Sequence, residues 1–254
     1  VLAKDCVAKL MEKHFKESDS PVGAIVPLLK FYDLKGFING LGNHLRSFSW
    51  GSDNFIGAVD LGQLAQIKAV PSACFAAVLI FREALEKVGP LDDAYSSFYE
   101  DIDWSFRCWL NGFKIVPCSE AIVYHHFSSS YVGGQKLFFV CRNRLRLILK
   151  LFSLKNLFHF LQNYLAEDLK ALFSFLRHRH WDNFLIYLKA YLSLMASLPD
   201  ILIKRLKFMR RKIKEKNEAH VLALNPESWS FLNTQNEPVI NFNLVCHYYL
   251  RHIN

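Results

Sequence analysis

The sequence predicts an α/β layered domain followed by a basic, amphipathic α-helical region, and three observations carry that expectation. Short apolar runs, "VGAIVPLL" (22–29) and "ACFAAVLIF" (73–81), are bounded by turn signals, as strands covered on both faces are. Helical patterns alternate with them, which is the order of a layered α/β protein. From about residue 134 the apolar period turns helical and stays so. With 52% hydrophobic and 21% charged residues, the 254-residue chain has a globular composition, which excludes a disordered class.

Residues 3–17 place Val7, Leu10, Met11 and Phe15 at helical spacing with charges opposite, and "SDSP" ends that helix. The strand at 22–29 follows. Residues 33–64, rich in Gly, Asn and Ser, lack a clear period and read mostly as loop; Gly40 and Gly42 read as turn positions of positive φ. After the strand at 73–81, "REALEKVG" is a short helix closed by Gly89, with Pro90 just beyond. "FKIVP" and "AIVYHH" read as two further short strands. "QKLFFVCRNRLRLILKLF", "LKNLFHFLQNYLAEDLKALFSFLRHR", "WDNFLIYLKAYLSLMASL" and "DILIKRLKFMRRKIKEK" are successive helices, and residues 217–254 carry no assignable pattern. The expected organisation is an α/β part over 1–136, a basic helical region over 137–216 and an unassigned tail over 217–254.

The chain opens on Val1 and enters a helical pattern directly, so it reads as a piece whose beginning is missing, with no signal peptide. Its six cysteines are scattered through apolar runs without a C-x-x-C, as reduced thiols of a cytosolic protein are, and they argue against a cysteine zinc site. Charge is uneven. Residues 142–216 hold 17 Lys/Arg against 5 Asp/Glu, a net of +12 within a chain of +8, so the remainder is mildly acidic.

Within that acidic remainder, "SSFYEDIDWSFRCWLNGFKIVP" (96–117) puts Glu100, Asp101 and Asp103 at the head of one helix. Ile102, Phe106, Trp109 and Leu110 form its apolar face. The helix dipole stabilises anions in a first turn by about 0.3–1 kcal/mol, and Asp103 reaches Arg107 at i+4. On the residues alone, capping accounts for the acids.

The order of features around them adds a second reading. An apolar strand, a short helix ending in V-G-P, an aromatic loop, E-D-x-D-W, G-F-K-I-V-P and V-Y-H-H follow one another over 73–126. This string resembles the acceptor-side half of family 2 glycosyltransferases of GT-A fold, nearest to the rhamnosyltransferase-like branch that builds bacterial surface polysaccharides. The resemblance runs from about Val22 to residue 150. It implies an inverting transfer of a sugar, rhamnose being one candidate, from a nucleotide-diphosphate sugar to a lipid-linked or cell-surface glycan.

By the same resemblance, Asp101 is the general base, a role that contributes about 10²–10⁴-fold in rate, and Glu100 orients acceptor hydroxyls. Asp103 takes a structural role beside Arg107. His125, directly after "VY", is a ligand to a divalent metal (Mg or Mn) on the donor diphosphate, and His126 packs or meets solvent. The metal's main carboxylates belong to a D-x-D that would precede Val1, as would the nucleotide-binding strands. Arg142, in an R-N pair, and Ser129 are candidates for phosphate contact; a helix-surface arginine and a polar loop are the plain readings. Trp104 and Tyr99 are candidates for stacking on an acceptor sugar, or else packing.

In "DILIKRLKFMRRKIKE", Leu202, Leu206, Met209 and Ile213 line one face and seven Lys or Arg occupy most of the rest, the form of an interfacial helix. The longest apolar window there is interrupted by Lys189, Pro199 and Asp200, which favours lying on a membrane over crossing it. The expected location is the cytoplasmic face of the inner membrane, against anionic lipid; the plainer alternative is a basic subdomain packed on the core. A catalytically inactive membrane-surface module derived from such an enzyme is the alternative function. Nucleic acid is not an expected partner, since the cations share their helices with broad apolar faces and no reading motif occurs.

Overall fold

The computed structural model describes residues 1–17, 21–45, 51–126 and 134–209, and within them the chain is a mixed α/β protein. The order is α1 (Cys6–Lys16), β1 (Val22–Phe31), β2 (Ile38–Gly40), β3 (Asn43–Leu45), β4 (Gly51–Asp53), β5 (Leu79–Ile80), α2 (Arg82–Val88), α3 (Glu100–Leu110), β6 (Lys114–His125), α4 (Gly134–Leu151), α5 (Leu154–Arg177), α6 (Trp181–Ala196) and α7 (Leu198–Met209).

β1 is the axis of a four-stranded mixed sheet. β6 runs parallel to it along one edge, from Val22 opposite Lys114 to Phe31 opposite His125. Antiparallel β5 and β2 share the other edge, at Ala24–Ile25 and Leu29–Lys30. β1 is apolar from Val22 to Leu29 because both faces are covered there, and Lys30 near its end pairs with Asp60. Ile25 and Leu29 pack with Cys6 and Leu10 of α1, while Ala24, Val26 and Leu28 face the larger core shared with α3 and α4.

Several expectations change here. "ACFAAVLIF" is a strand only at Leu79–Ile80, because the backbone before it is engaged elsewhere: the Ala73 amide donates to Ser105 Oγ, and Ser72 O accepts from the Asn43 amide. "FKIVP" and "AIVYHH" are one strand with a bulge, the register against β1 jumping from Cys118 to Ile122. The segment read as loop contains β2 and the β3–β4 hairpin. Gly42 does have positive φ, and a Cβ there would lie 2.2 Å from Ser72 O; Gly40 is an ordinary strand residue. On α1 the buried residues are Cys6 and Leu10, and Val7, Met11 and Phe15 are exposed. The five described cysteines are free.

The helical region does not stand apart. Leu145, Leu147, Ile148 and Phe152, together with Leu194, Ile201 and Phe208, share one core cluster with Ile102, Trp104 and Phe106 of α3. Part of its basic charge is internal. Arg144, Arg146, Lys150 and Arg205 are buried. Lys150 binds Asp92 at 2.7 Å and Asp103 at 2.6 Å, Lys204 binds Asp92 at 2.7 Å, and Arg146 pairs with Asp200 and, at 3.6 Å, with Asp92. Arg144 pairs with Asp168, whose second oxygen accepts from Tyr191. These pairs, and not headgroup-facing lysines, tie α4 and α7 to the α/β part.

Asp92 is the hub of that network. Although burial raises its pKa, Lys150 and Lys204 outweigh the effect and hold the carboxyl well below the usual range. Its stabilisation is therefore complete above the ordinary carboxylate value and is lost as pH falls toward the lower folded value. Asp92→Asn leaves buried cations uncompensated and should cost about 3–5 kcal/mol in urea unfolding at neutral pH. The difference from wild type should shrink in acid. A neutral-pH loss below about 1 kcal/mol would mean the hub contributes little.

Candidate functional site

The acids at the head of α3 sit on an unusual piece of backbone. Ser96, Phe98 and Tyr99 all have positive φ, at 61°, 64° and 72°. Such conformations cost about 1–3 kcal/mol each for non-glycine residues and persist where the surroundings impose them. Asn143 of α4, fully buried, is what imposes them: its Nδ2 donates to the carbonyls of Tyr95, Ser97 and Phe98 at 2.7–2.8 Å. Arg142 beside it donates to the carbonyls of Ala94 and Tyr95 and lies over the rings of Phe138 and Phe139. The R-N pair thus clamps the loop that aims α3, and the guanidinium of Arg142 is committed to backbone rather than presented to phosphate.

Two other candidates are placed in the interior. Trp104 is wholly buried, its Nε1 donating to Gly89 O and its ring against Phe75. Tyr99 is also buried, its hydroxyl accepting the Gly51 amide at 2.8 Å. Neither ring offers a stacking face to a sugar; each closes the core beneath the site. Asp103 is buried between Arg107 Nε at 2.9 Å, Lys150 and the Tyr95 hydroxyl at 3.0 Å, which is the structural role expected of it. Ser129 lies outside the described residues.

Asp101 is half-buried, in a carboxylate cluster with Glu100 and Asp53. Oδ1 accepts the Ile102 amide at 2.8 Å, and Oδ2 accepts Nδ2 of Asn43 at 2.9 Å. Burial, then the neighbouring Glu100, raise its pKa to about 7; these two hydrogen bonds oppose the shift and Asp53 adds to it. Glu100 is raised too, by burial. Asp53, opposite Asn43 in the β3–β4 hairpin, is pushed up to about 6 by burial, with Lys136 opposing. The thiol of Cys74 senses Asp53, Asp101 and Glu100, and burial chiefly drives its pKa upward. Among the described residues, Asn43 Oδ1 and Glu100 Oε2 are buried with no hydrogen-bond partner. Leaving such atoms unpaired costs about 1–3 kcal/mol each.

Sequence reasoning missed Asp53 and Asn43. They lie in the stretch without a period, and the one signal was Gly40, whose missing side chain lets Asp53 pack against β2: a Cβ there would lie 3.3 Å from the Asp53 Cβ.

His125 ends β6, with Nδ1 2.7 Å from Asn39 Oδ1. Burial, with the neighbouring His126, lowers its pKa, which favours neutral imidazole. A proton on Nδ1, donated to Asn39, leaves the Nε2 lone pair for a ligand. Asn39 precedes Gly40 in β2, so one short strand touches both His125 and Asp53. Among the described residues no group of three or more His, Cys, Asp or Glu converges as a metal site.

The chain matches no family model and no curated protein.

The arrangement can hold a carboxylate that is part ionised near neutrality. Two measurements test it. Carbon-13 carboxyl titration should place Asp101 near pH 7, and Asp53→Asn should lower that midpoint by removing a neighbouring negative charge. An Asp101 midpoint near the ordinary value of 3.8 would overturn the electrostatic picture. Because the folded pKa is raised, Asp101 favours folding below its unfolded pKa, and this contribution is lost as pH rises through about 7. Asp101→Asn should therefore raise Tm relative to wild type at about pH 8, with the gap closing toward about pH 4.

Proposed function

We propose that the chain is the acceptor-side part of an inverting glycosyltransferase of GT-A type that moves a sugar, rhamnose being one candidate, onto a lipid-linked or cell-surface glycan. The observation that supports this reading best is the Asp101 carboxylate, half-buried beside Glu100, with a pKa raised to about 7. A base with that pKa is matched to neutral operation.

In the proposed step an acceptor hydroxyl approaches Asp101, with Glu100 beside it orienting the neighbouring hydroxyls. Asp101 takes the proton of the attacking oxygen as that oxygen bonds to the anomeric carbon. The bond from that carbon to the diphosphate breaks, and the electron pair leaves with the nucleoside diphosphate. Asn43 holds Asp101 in place through Oδ2. A divalent metal, Mg or Mn, when bound, would offset charge on the departing diphosphate, and His125 Nε2 would be a ligand to it. On this reading the D-x-D precedes Val1.

The test uses the product of the complete reading frame with nucleotide-diphosphate sugars and a lipid-linked acceptor. Asp101→Asn should lower transfer by about 10²–10⁴-fold while donor binding, read by calorimetry, stays within about twofold. His125→Ala should instead weaken metal-dependent donor binding. Equal loss of donor affinity in Asp101→Asn would remove it as the base. Absence of transfer with every sugar offered, together with intact donor-free folding, would favour the inactive module.

A further inference from the structure

We propose that the outward apolar faces of α5, α6 and α7 seat the protein in the interfacial layer of an anionic lipid bilayer, lying in its plane. The inference stands independently of the sugar-transfer reading.

α6 carries it most clearly. Its inward face, Tyr187, Ala190 and Leu194, is buried against the rest of the molecule. On the opposite side Trp181, Leu185, Leu188, Leu192 and Met195, spaced by four and three residues, form one stripe, each 47–62% exposed. A helix apolar on both sides belongs in a protein interior or against lipid. α5 repeats the pattern: Leu154, Phe158, Leu165, Leu169, Phe173 and Leu176 are 42–70% exposed along one face. On α7, Leu202, Ile203 and Leu206 are exposed. An outward apolar surface on this scale exceeds the scattered residues normal for a soluble monomer.

Charge identifies the occupant. Lys155, Arg177, Arg179, Lys189 and Lys207 are exposed on these helices and their connections, against Asp182 as the exposed acid among the described residues. By helical periodicity Lys155, Lys170 and Arg177 run along one flank of the α5 stripe, where long side chains reach headgroups while the stripe enters the acyl boundary. Each cation near an anionic surface contributes about 1 kcal/mol. A second copy of this chain would instead oppose like charges flanking both stripes. Trp181, at the start of the α6 stripe, suits the headgroup level.

The geometry points to lying in plane. No single described helix is long and apolar enough to cross a membrane. α6 and α7 pass that test together, but they bend by 55°. Their inward faces also pack on the core, and α7 is tied there by Arg146–Asp200 and Lys204–Asp92. Only the outer faces are available to lipid.

The full chain is tested by co-sedimentation with phosphatidylcholine vesicles with and without phosphatidylglycerol. Binding should require phosphatidylglycerol and weaken with salt. Leu188→Glu and Leu192→Glu, at exposed positions, should each reduce it about tenfold or more with unchanged thermal unfolding. Brominated acyl chains should quench fluorescence in wild type and clearly less in Trp181→Phe. No binding, or binding that the Glu variants leave intact (as a basic segment acting alone would give), overturns the proposal. So does a concentration-dependent dimer that the same Glu variants dissolve, because a second copy would then cover the stripe.

Discussion

The site depends on one buried amide. Asn143 binds three carbonyls of the segment that leads into α3, and that segment holds three non-glycine residues at positive φ. Without those bonds the backbone would relax toward ordinary conformations and α3 would start elsewhere. Because Asn143 and Arg142 belong to α4, a helix of the basic region sets the direction of a helix of the α/β part. The Asp103–Lys150 pair adds a second tie between the same two helices. The placement of Asp101 is thus a tertiary property, built from α4 as much as from its own first turn.

The molecule treats its acids in two opposite ways. Asp92, Asp103, Asp168 and Asp200 each have Lys or Arg partners, and the pKa values of Asp92 and Asp200 are lowered accordingly. Asp101 and Asp53 are raised, to about 7 and about 6, with an amide, Asn43, donating to Asp101 and Lys136 only opposing the shift at Asp53. The interior cations of α4 are consumed by structural carboxylates, so the cluster around Asp101 keeps a negative, proton-hungry character. Environments that push like groups apart in this way are how proteins separate structural acids from acids available for proton transfer. The opposing electrostatics also set a cost: charge crowded in that cluster destabilises the fold as pH rises, and the Asp92 hub supplies stability over the same range.

Much of this was legible in sequence, and the failures have physical causes. Helices α2 to α7 follow their apolar period and caps, and β1 follows its bounded apolar run. The "ACFAAVLIF" run misled because continuous apolarity does not fix pairing: the Ala73 amide goes to Ser105, and Leu79 and Ile80 are the residues that pair with β1. Trp104 and Tyr99 illustrate the same limit. Their position beside the acids is a sequence fact, but whether a ring faces a cleft or a core depends on Gly89 and Gly51, distant partners that periodicity does not report. Asp53 was invisible for a related reason: its partners lie in a short hairpin with no alternation to announce it.

The charge asymmetry needs the most revision. A net of +12 over residues 142–216 suggests a cationic outer surface, yet Arg144, Arg146, Lys150 and Arg205 turn inward. What the described helices present outward is therefore less basic and more apolar than the composition implies. On the membrane reading proposed above, apolar area, at roughly 25 cal/mol per Å² removed from water, would supply the main attraction to a bilayer, and the remaining cations would select its charge. Burying positive charge to aim α3 and exposing leucine and phenylalanine outward are two consequences of one arrangement. The ion pairs fix the inner faces of α4 and α7 on the core, and α5 and α6, held against α4, are left with their second apolar faces turned away from it.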